Sequence, residues 1–389
     1  MSFSWSKPAY NQYQFHVELS NVCNAACPIC PRYWAGSRIT RPGLTPTSIS
    51  LEQFKKWFPP NVMEKTDRIM LCGNQGDPFA AKDIVEILEY CVDNLPADKQ
   101  LVTHSNGGLR SEEVWKRAGK ALSTSHQHYM WFSIDGLKNT NELYRRNVEW
   151  DKLMRNASAF IEAGGVAYWD MLVFKHNEHQ IEEVRQLAKN MGFKNVRIKS
   201  PDGLVWDNKI QKRGVYDAQG KLEYYIEAAE DLQYVNAPVG MERNYEDPVA
   251  SVGNPPDQWT EYVSNQHFVQ YEDHNIKCKS LKKTGSEIMI QCDGLVMPCC
   301  YIGELWASGR QDDAKKQLQG MWDTEKLYLT KNKFENIMNY LDSTIMKSWN
   351  MTTYAQGKCM YCAKICGHDS PMDRLIHTKA GPGHDKISI

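Results

Sequence analysis

From residue 14 to about 199 the chain alternates short β-rich runs with helical patterns six times, and few folds accommodate that alternation. The β runs are QFHVELS (14–20), RIMLCG (68–73), QLVTHS (100–105), YMWFSID (129–135), AYWDMLVF (167–174) and NVRIK (195–199). Helices lie between them. Ser50 caps LEQFKKWF with Gln53 three residues on, and Ser111 precedes EEVWKRAGKAL. The clearest helix sets Trp150, Leu153, Met154, Ala157, Phe160 and Ile161 on one face before a Gly-Gly stop. Strands joined through helices run parallel, so the fold class is α/β, and ligands bind where loops leave the strand C-termini.

Those loops hold the chemistry-bearing residues. CNAACPIC (23–30) follows the first run, GNQGDP (73–78) the second, NGG (106–108) the third and DGLKNTNELYRR (135–146) the fourth. Cys72, beside the glycine loop, reads as a small core residue, and Cys91 as packing on an apolar helix face. Residues 201–277 change character and read as a connector or lid, with AQGKLEYYIEAAEDL (218–232) its one good helical stretch. From 278 a cysteine-rich module begins: β runs flank Asp293-Gly294 as a hairpin, and a helical insertion at 313–348 separates them from CMYCAKIC. The expected domains are therefore 1–200, 201–277 and 278–389.

Lys plus Arg number 46 against 47 Asp plus Glu, a balance that disfavours nucleic acid or an anionic membrane as partner. The opening MSFSWSKPAYNQYQ lacks a signal peptide's basic start and apolar core, and no run of eighteen apolar residues occurs. The expected compartment is the reducing cytoplasm, where twelve cysteines serve metal ligation or catalysis rather than disulfides. Three thiols in one loop leave one iron of a [4Fe–4S] cubane without a protein ligand; a zinc site or electron-transfer cluster with a distant fourth ligand is the alternative.

Cys23-x3-Cys27-x2-Cys30 at the end of a first strand resembles the signature of the radical S-adenosylmethionine (radical SAM) enzymes. The resemblance implies a partial (β/α)6 TIM-like barrel. It also implies a [4Fe–4S] cluster whose open iron is chelated by S-adenosylmethionine, and an external electron donor such as flavodoxin or ferredoxin. Reductive cleavage then gives a 5′-deoxyadenosyl radical that abstracts hydrogen from substrate. Carried over residue by residue, the glycine loop appears as Gly73-Asn74-Gln75-Gly76-Asp77-Pro78, with Gly76 and Asp77 at the cofactor. Ile29 packs on adenine, Asn106 reaches the ribose, Ser133 contacts S-adenosylmethionine and Arg145 pairs with its carboxylate. Asp77 for the usual Glu, the Asn-Gln spacer and aliphatic Ile29 depart from the family pattern.

Cys278-x15-Gly294-x4-Cys299, followed by Cys359-x2-Cys362, resembles the SPASM extension of that family, or its short Twitch form. The resemblance implies a small β-hairpin plus helix domain with one auxiliary [4Fe–4S] cluster on Cys278, Cys299, Cys359 and Cys362. Cys366, Cys300 and Cys292 are candidates to replace one of the four; two clusters and a zinc knuckle are the alternatives. Cys300 stands where sulfatase-maturating enzymes carry a catalytic Asp, which disfavours that activity. No general base is legible, and Asp170 and Glu18 read as core-edge charges as readily as catalysts. The expected activity is hydrogen abstraction from a peptide, protein or polar metabolite. A radical dehydrogenase of a small polyol or aminocyclitol and a non-catalytic iron–sulfur or zinc scaffold are its rivals.

Overall fold

A computed structural model describes residues 3–33, 37–40, 44–201, 203–206, 209–235, 271–282, 285–307 and 313–367. In chain order the elements used below are β1 (Tyr13–Val17), α1 (Leu51–Trp57), β2 (Thr66–Leu71), α2 (Ile84–Asn94), β3 (Gln100–Ser105), α3 (Glu112–Leu122), β4 (His128–Ser133), α4 (Trp150–Glu162), β5 (Val166–Leu172), α5 (Ile181–Met191) and β6 (Val196–Lys199). There follow β7 (Lys212–Tyr216), β8 (Leu222–Glu227), β9 (Gly285–Ile290), β10 (Val296–Met297), α6 (Cys300–Ala307), α7 (Asp313–Met321), α8 (Phe334–Leu341) and α9 (Met360–Cys366). All six expected strands form, with helices in the five connections between them and strand ends within two or three residues of the expected runs.

By its contacts the chain divides into two units, and the division is not linear in sequence. One comprises residues 1–17, 65–69 and 255–380; the other 18–64, 70–254 and 381–389. In the second unit β3, β4, β5 and β6 pair in parallel, with Ser105 opposite Phe132, Ser133 opposite Asp170 and Leu172 opposite Lys199. β6 is an edge strand, so the α/β barrel is partial and open. The capping box at Ser50 forms as expected, each of Ser50 and Gln53 closing the other's backbone.

The sheet faces differ, as period-2 geometry requires. On the helix side lie Met130, Phe132, Ala167, Trp169 and Met171, all buried. α3 and α4 cover this side so closely that a Cβ on Gly119 would run into the carbonyl of Phe160. The other face carries His104, Trp131, Tyr168, Asp170, Arg197 and Lys199, with Trp131 stacked on Tyr168 at 4.7 Å.

The helical reading of 218–232 is overturned. Leu222–Glu227 is the strand β8, antiparallel to β7. The Asp217 side chain accepts from the backbone N–H groups of Gln219 and Lys221, and Gly220 adopts φ +80°, which turns the chain tightly. The β-favouring run Leu-Glu-Tyr-Tyr-Ile-Glu then prefers a hairpin to a helix. Residues 236–270 of the connector lie outside the described residues.

In the first unit β1 pairs in parallel with β9, Tyr13 opposite Ser286 through Val17 opposite Ile290. The Asp293-Gly294 hairpin forms between β9 and β10, closing at Ile290 and Val296. The expected helical insertion is α7 and α8 with short turns between and after them. The backbone N–H groups of Trp5 and Ser6 donate to the Asp342 carboxylate, tying the N-terminal segment to this unit.

Gly119→Ala tests the close approach of α3 and α4. Ala is ordinarily the better helix former by about 1 kcal/mol, but the added methyl has no room. The variant should lose about 1–3 kcal/mol, read as a lower urea midpoint at unchanged slope. A gain in stability would mean that the two helices can part.

Candidate functional site

The cysteine loop lies in the second unit and is held at several backbone points. Asn21 donates through its N–H to Thr47 O (3.1 Å) and through Nδ2 to Thr45 O (2.8 Å), and its Oδ1 accepts from Thr47 N (2.8 Å). The Ala26 N–H donates to Arg146 O at 2.9 Å, and the Cys30 N–H to Cys27 O at 3.0 Å. Cys27 is buried and the other two thiols are half-buried. Burial pushes the Cys23 and Cys27 thiols well up from their ordinary range.

Donors are nevertheless aimed at sulfur. Cys23 Sγ lies 3.4 Å from the Ala25 N–H and 3.5 Å from Asn106 Nδ2, and Cys27 Sγ lies 3.8 Å from Arg145 Nη1. Such donors suit a thiolate, and thiols held neutral by burial ionise when a metal takes the proton's place. The donor set therefore fits a sulfur-ligated metal cluster.

The glycine loop abuts this site. A Cβ on Gly76 would collide with the carbonyl of Ser20, so only glycine allows the loop to lie against the chain entering the cysteine triplet. Glu18 accepts from the N–H groups of Gln75 (2.6 Å) and Gly76 (3.2 Å). Asp77 is 3% exposed. Its carboxylate accepts from Ser105 Oγ, the Asn106 N–H and the Phe79 N–H at 2.8–3.0 Å. Burial raises its pKa and those same donors pull it back.

Asn106 is buried as well: Nδ2 donates to Asn24 Oδ1 at 2.9 Å, and Oδ1 accepts from the Gly108 N–H at 2.8 Å. Arg145 Nε lies 2.5 Å from Asp135 Oδ2, a carboxylate with no exposure that also accepts from the Leu172 N–H. Arg146 is equally committed, to Glu223 and to Tyr216 O at 2.9 Å, so neither arginine is a solvated helix-entry charge. Ser133 ends β4, half-buried, opposite Asp170. Ile29 sits where a Cβ on Gly203 would press on its Cγ2 at 2.7 Å. The triplet, Gly76, Asp77, Asn106 and Arg145 are thus joined by direct contacts.

Cys72, expected in the core, is only partly buried. Half-buried at the end of β2, it feels the charges of Lys199, Glu18, Asp77 and Asp170, and burial raises its thiol to about 12. Sequence reasoning also missed Asp135 as the partner of Arg145, and the group Asp170, Arg197 and Lys199. Asp170 Oδ1 is 2.7 Å from Arg197 Nε, and Oδ2 is 2.7 Å from Lys199 Nζ. The Arg197 guanidinium also lies 3.9 Å from the Trp131 ring centre. The signal was present in VRIK, where two cations two residues apart on a strand share a face.

In the first unit five thiols converge. Cys278, Cys299, Cys362 and Cys366 line one apolar pocket together with Trp5 and Trp349. Cys362 and Cys366 are four apart on α9 and so share a helix face. A hydrogen bond to Cys366, then burial, raises the Cys278 thiol; the Cys359–Cys362 hydrogen bond holds Cys359 low and Cys362 high. Cys299 Sγ accepts from the Ile302 N–H at 3.5 Å. Cys292 is buried at the hairpin, outside that pocket lining.

A parallel sheet whose first loop presents three thiols backed by N–H and guanidinium donors defines an iron–sulfur-type site at the strand C-termini. Residues 17–188 match the model of the radical SAM superfamily, and this segment of the chain is a radical SAM domain. Such a domain uses a [4Fe–4S] cluster with S-adenosylmethionine. Similar solved structures include SuiB of Streptococcus suis bound to S-adenosylmethionine (14% identity, TM-score 0.44, covering 74% of this chain and 60% of that one). Two others are anSMEcpe with bound AdoMet (14%, 0.48, 94% of each chain) and BtrN with AdoMet and 2-DOIA (11%, 0.35, 88% and 87%). The chain thus spans about three fifths of SuiB in that comparison. At these identities and scores the likenesses carry no argument about activity. No curated protein sequence matches this one. Among the described residues no helix is long and apolar enough to cross a membrane.

The Asp170 group gives a pH prediction. Burial alone would raise this carboxyl, but the Lys199 and Arg197 cations outweigh it and hold it well below the ordinary range. A depressed folded-state pKa contributes stability above the unfolded value, about 3.9, and loses it as pH falls toward the folded value. Asp170→Asn should therefore be less stable than wild type at pH 7 by about 1–3 kcal/mol. The gap should narrow as pH falls below about 4, measured as urea midpoints across pH. A gap that does not change with pH would refute the ion-pair account.

Proposed function

We propose that the chain is a radical SAM enzyme that takes hydrogen from a polar substrate bearing an anionic group. The observation that carries the chemistry is the cysteine triplet with Asn106 and Arg145 directed at Cys23 and Cys27. Cys23, Cys27 and Cys30 would hold the cluster. When bound, the cluster and S-adenosylmethionine supply a carbon radical able to attack an unactivated C–H bond.

The protein's own part is position. Glu18 and Asp77 fix the glycine loop against the triplet, Asp135 orients Arg145, and the backbone around Gly76 is free of side-chain bulk. In this reading Arg145 and the Gly76–Asp77 backbone face the carboxylate and ammonium of the cofactor, while Ile29, Asn106 and Ser133 line its nucleoside. The anionic preference rests on Arg197 and Lys199, two cations that share the single carboxylate of Asp170 on this sheet face. Lys199 is 40% exposed and available to a ligand. Peptides, proteins and polar metabolites with a carboxylate or phosphate all meet this requirement, whereas a neutral polyol or a cationic aminocyclitol does not use it.

The first unit would hold an auxiliary [4Fe–4S] cluster in the apolar pocket. Cys278, Cys299 and Cys362 would be ligands, a reading supported by their shared place in the pocket lining, with Cys359 or Cys366 as the fourth. An external one-electron donor such as flavodoxin or ferredoxin completes the reaction.

Anaerobic reconstitution should give about eight irons per chain, falling to about four in Cys299→Ala and in Cys27→Ala. Of Cys359→Ala and Cys366→Ala, the variant that keeps eight marks the spare thiol. With dithionite and S-adenosylmethionine the wild type should release 5′-deoxyadenosine and Cys27→Ala none. A well-loaded protein that releases none sinks the enzyme reading. Anionic compounds that stimulate release should lose at least about tenfold of that effect in Lys199→Ala, while release without substrate stays unchanged.

A further inference from the structure

The cysteine doublet Cys299-Cys300 sends its two side chains to different places. Cys299 lines the apolar pocket described above, and Cys300 is absent from that lining. Cys300 instead meets His16 and Glu287: one ligand atom from each, Sγ, an imidazole nitrogen and a carboxylate oxygen, all lie within 4.8 Å of one another. The residues come from three elements of the first unit, His16 from β1, Glu287 from β9 and Cys300 from the start of α6. The parallel register of β1 and β9 sets Gln14 opposite Glu287 and His16 two residues further on, so both side chains leave the same sheet face.

We infer that His16, Glu287 and Cys300 form a second, mononuclear site for a divalent transition metal, zinc foremost, separate from the cluster thiols. Imidazole, carboxylate and thiolate are the three ligand types that zinc accepts, and three protein ligands leave a fourth position open. Zinc bond lengths of about 2.0–2.3 Å put ligand atoms roughly 3.5 Å apart, within reach of small side-chain rotations from the present positions. The charges balance: thiolate and carboxylate together neutralise a divalent ion. Lys282 Nζ donates to Glu287 Oε2 at 2.8 Å, which fixes the carboxylate and leaves Oε1 for the metal. His16, 5% exposed on a central strand, gives the site a rigid member. The inference stands whether or not the neighbouring pocket holds a cluster.

The test uses the full chain, its iron loaded anaerobically first so that zinc cannot take cluster positions, then dialysed with zinc salt and washed. Wild type should retain one zinc per chain by elemental analysis. Cys300→Ser and His16→Gln should each lower zinc at least tenfold at unchanged iron content, and the iron–sulfur absorption reports that they fold. With cobalt in place of zinc, a thiolate-to-metal charge-transfer band should appear in wild type and be lost in Cys300→Ser. Failure of wild type to retain zinc would overturn the inference. So would zinc retention by Cys300→Ser, or loss of iron in that variant, which would make Cys300 a cluster ligand instead.

Discussion

One buried carboxylate holds the radical SAM site together. Asp77 receives hydrogen bonds from Phe79, Ser105 and Asn106, while its own N–H donates to Val22 O, the residue before the first cysteine of the triplet. It thereby joins three loops that leave three different strands. Asn106, fixed by Asp77, reaches Cys23 and Asn24 in turn. Burying a carboxylate is costly unless its oxygens are satisfied. Here every donor that satisfies it belongs to an element of the site, so its solvation and the site's assembly are the same event.

Much of this was legible in the sequence and some was not, for definable reasons. Alternating β and helical patterns report on which residues are apolar and at what period, and the parallel strands β3 to β6 follow from that. Loop motifs report position too: the triplet, Gly76, Asp77, Asn106 and Arg145 meet because each follows a strand C-terminus. Spacing does not report which way a hydrogen bond runs. The glycine-loop backbone was expected at the cofactor, and the part its Asp77 carboxylate plays in binding Phe79, Ser105 and Asn106 had no signal in the motif. Asp135, two residues from Ser133, has no signature of its own, since nothing but the fold brings it to Arg145. Leu222–Glu227 was misjudged because Ala, Glu and Leu favour helix, while the turn at Asp217–Gly220 is decided by side-chain bonds to two backbone N–H groups. Local chemistry outweighed propensity there.

In the cysteine-rich unit the same limit takes another form. The resemblance to the SPASM extension gave Cys359 and Cys362 precedence over Cys366. Helix geometry adds what the resemblance lacks: Cys362 and Cys366 stand one turn apart and face the same pocket. Five thiols converge where a cubane takes four, and Cys300, next in sequence to a pocket thiol, turns elsewhere.

The two faces of the parallel sheet in the radical SAM unit differ in character, one apolar under the helices and one carrying charged and aromatic side chains. Met130, Phe132, Trp169 and Met171 hold the helices on, whereas Trp131, Asp170, Arg197 and Lys199 alternate with them and look the other way. Because the two sets interleave residue by residue, a substitution on one face leaves the other's packing largely intact. A lineage carrying this scaffold could therefore change the charge of one sheet face by drift while the helix-packed core stays as inherited.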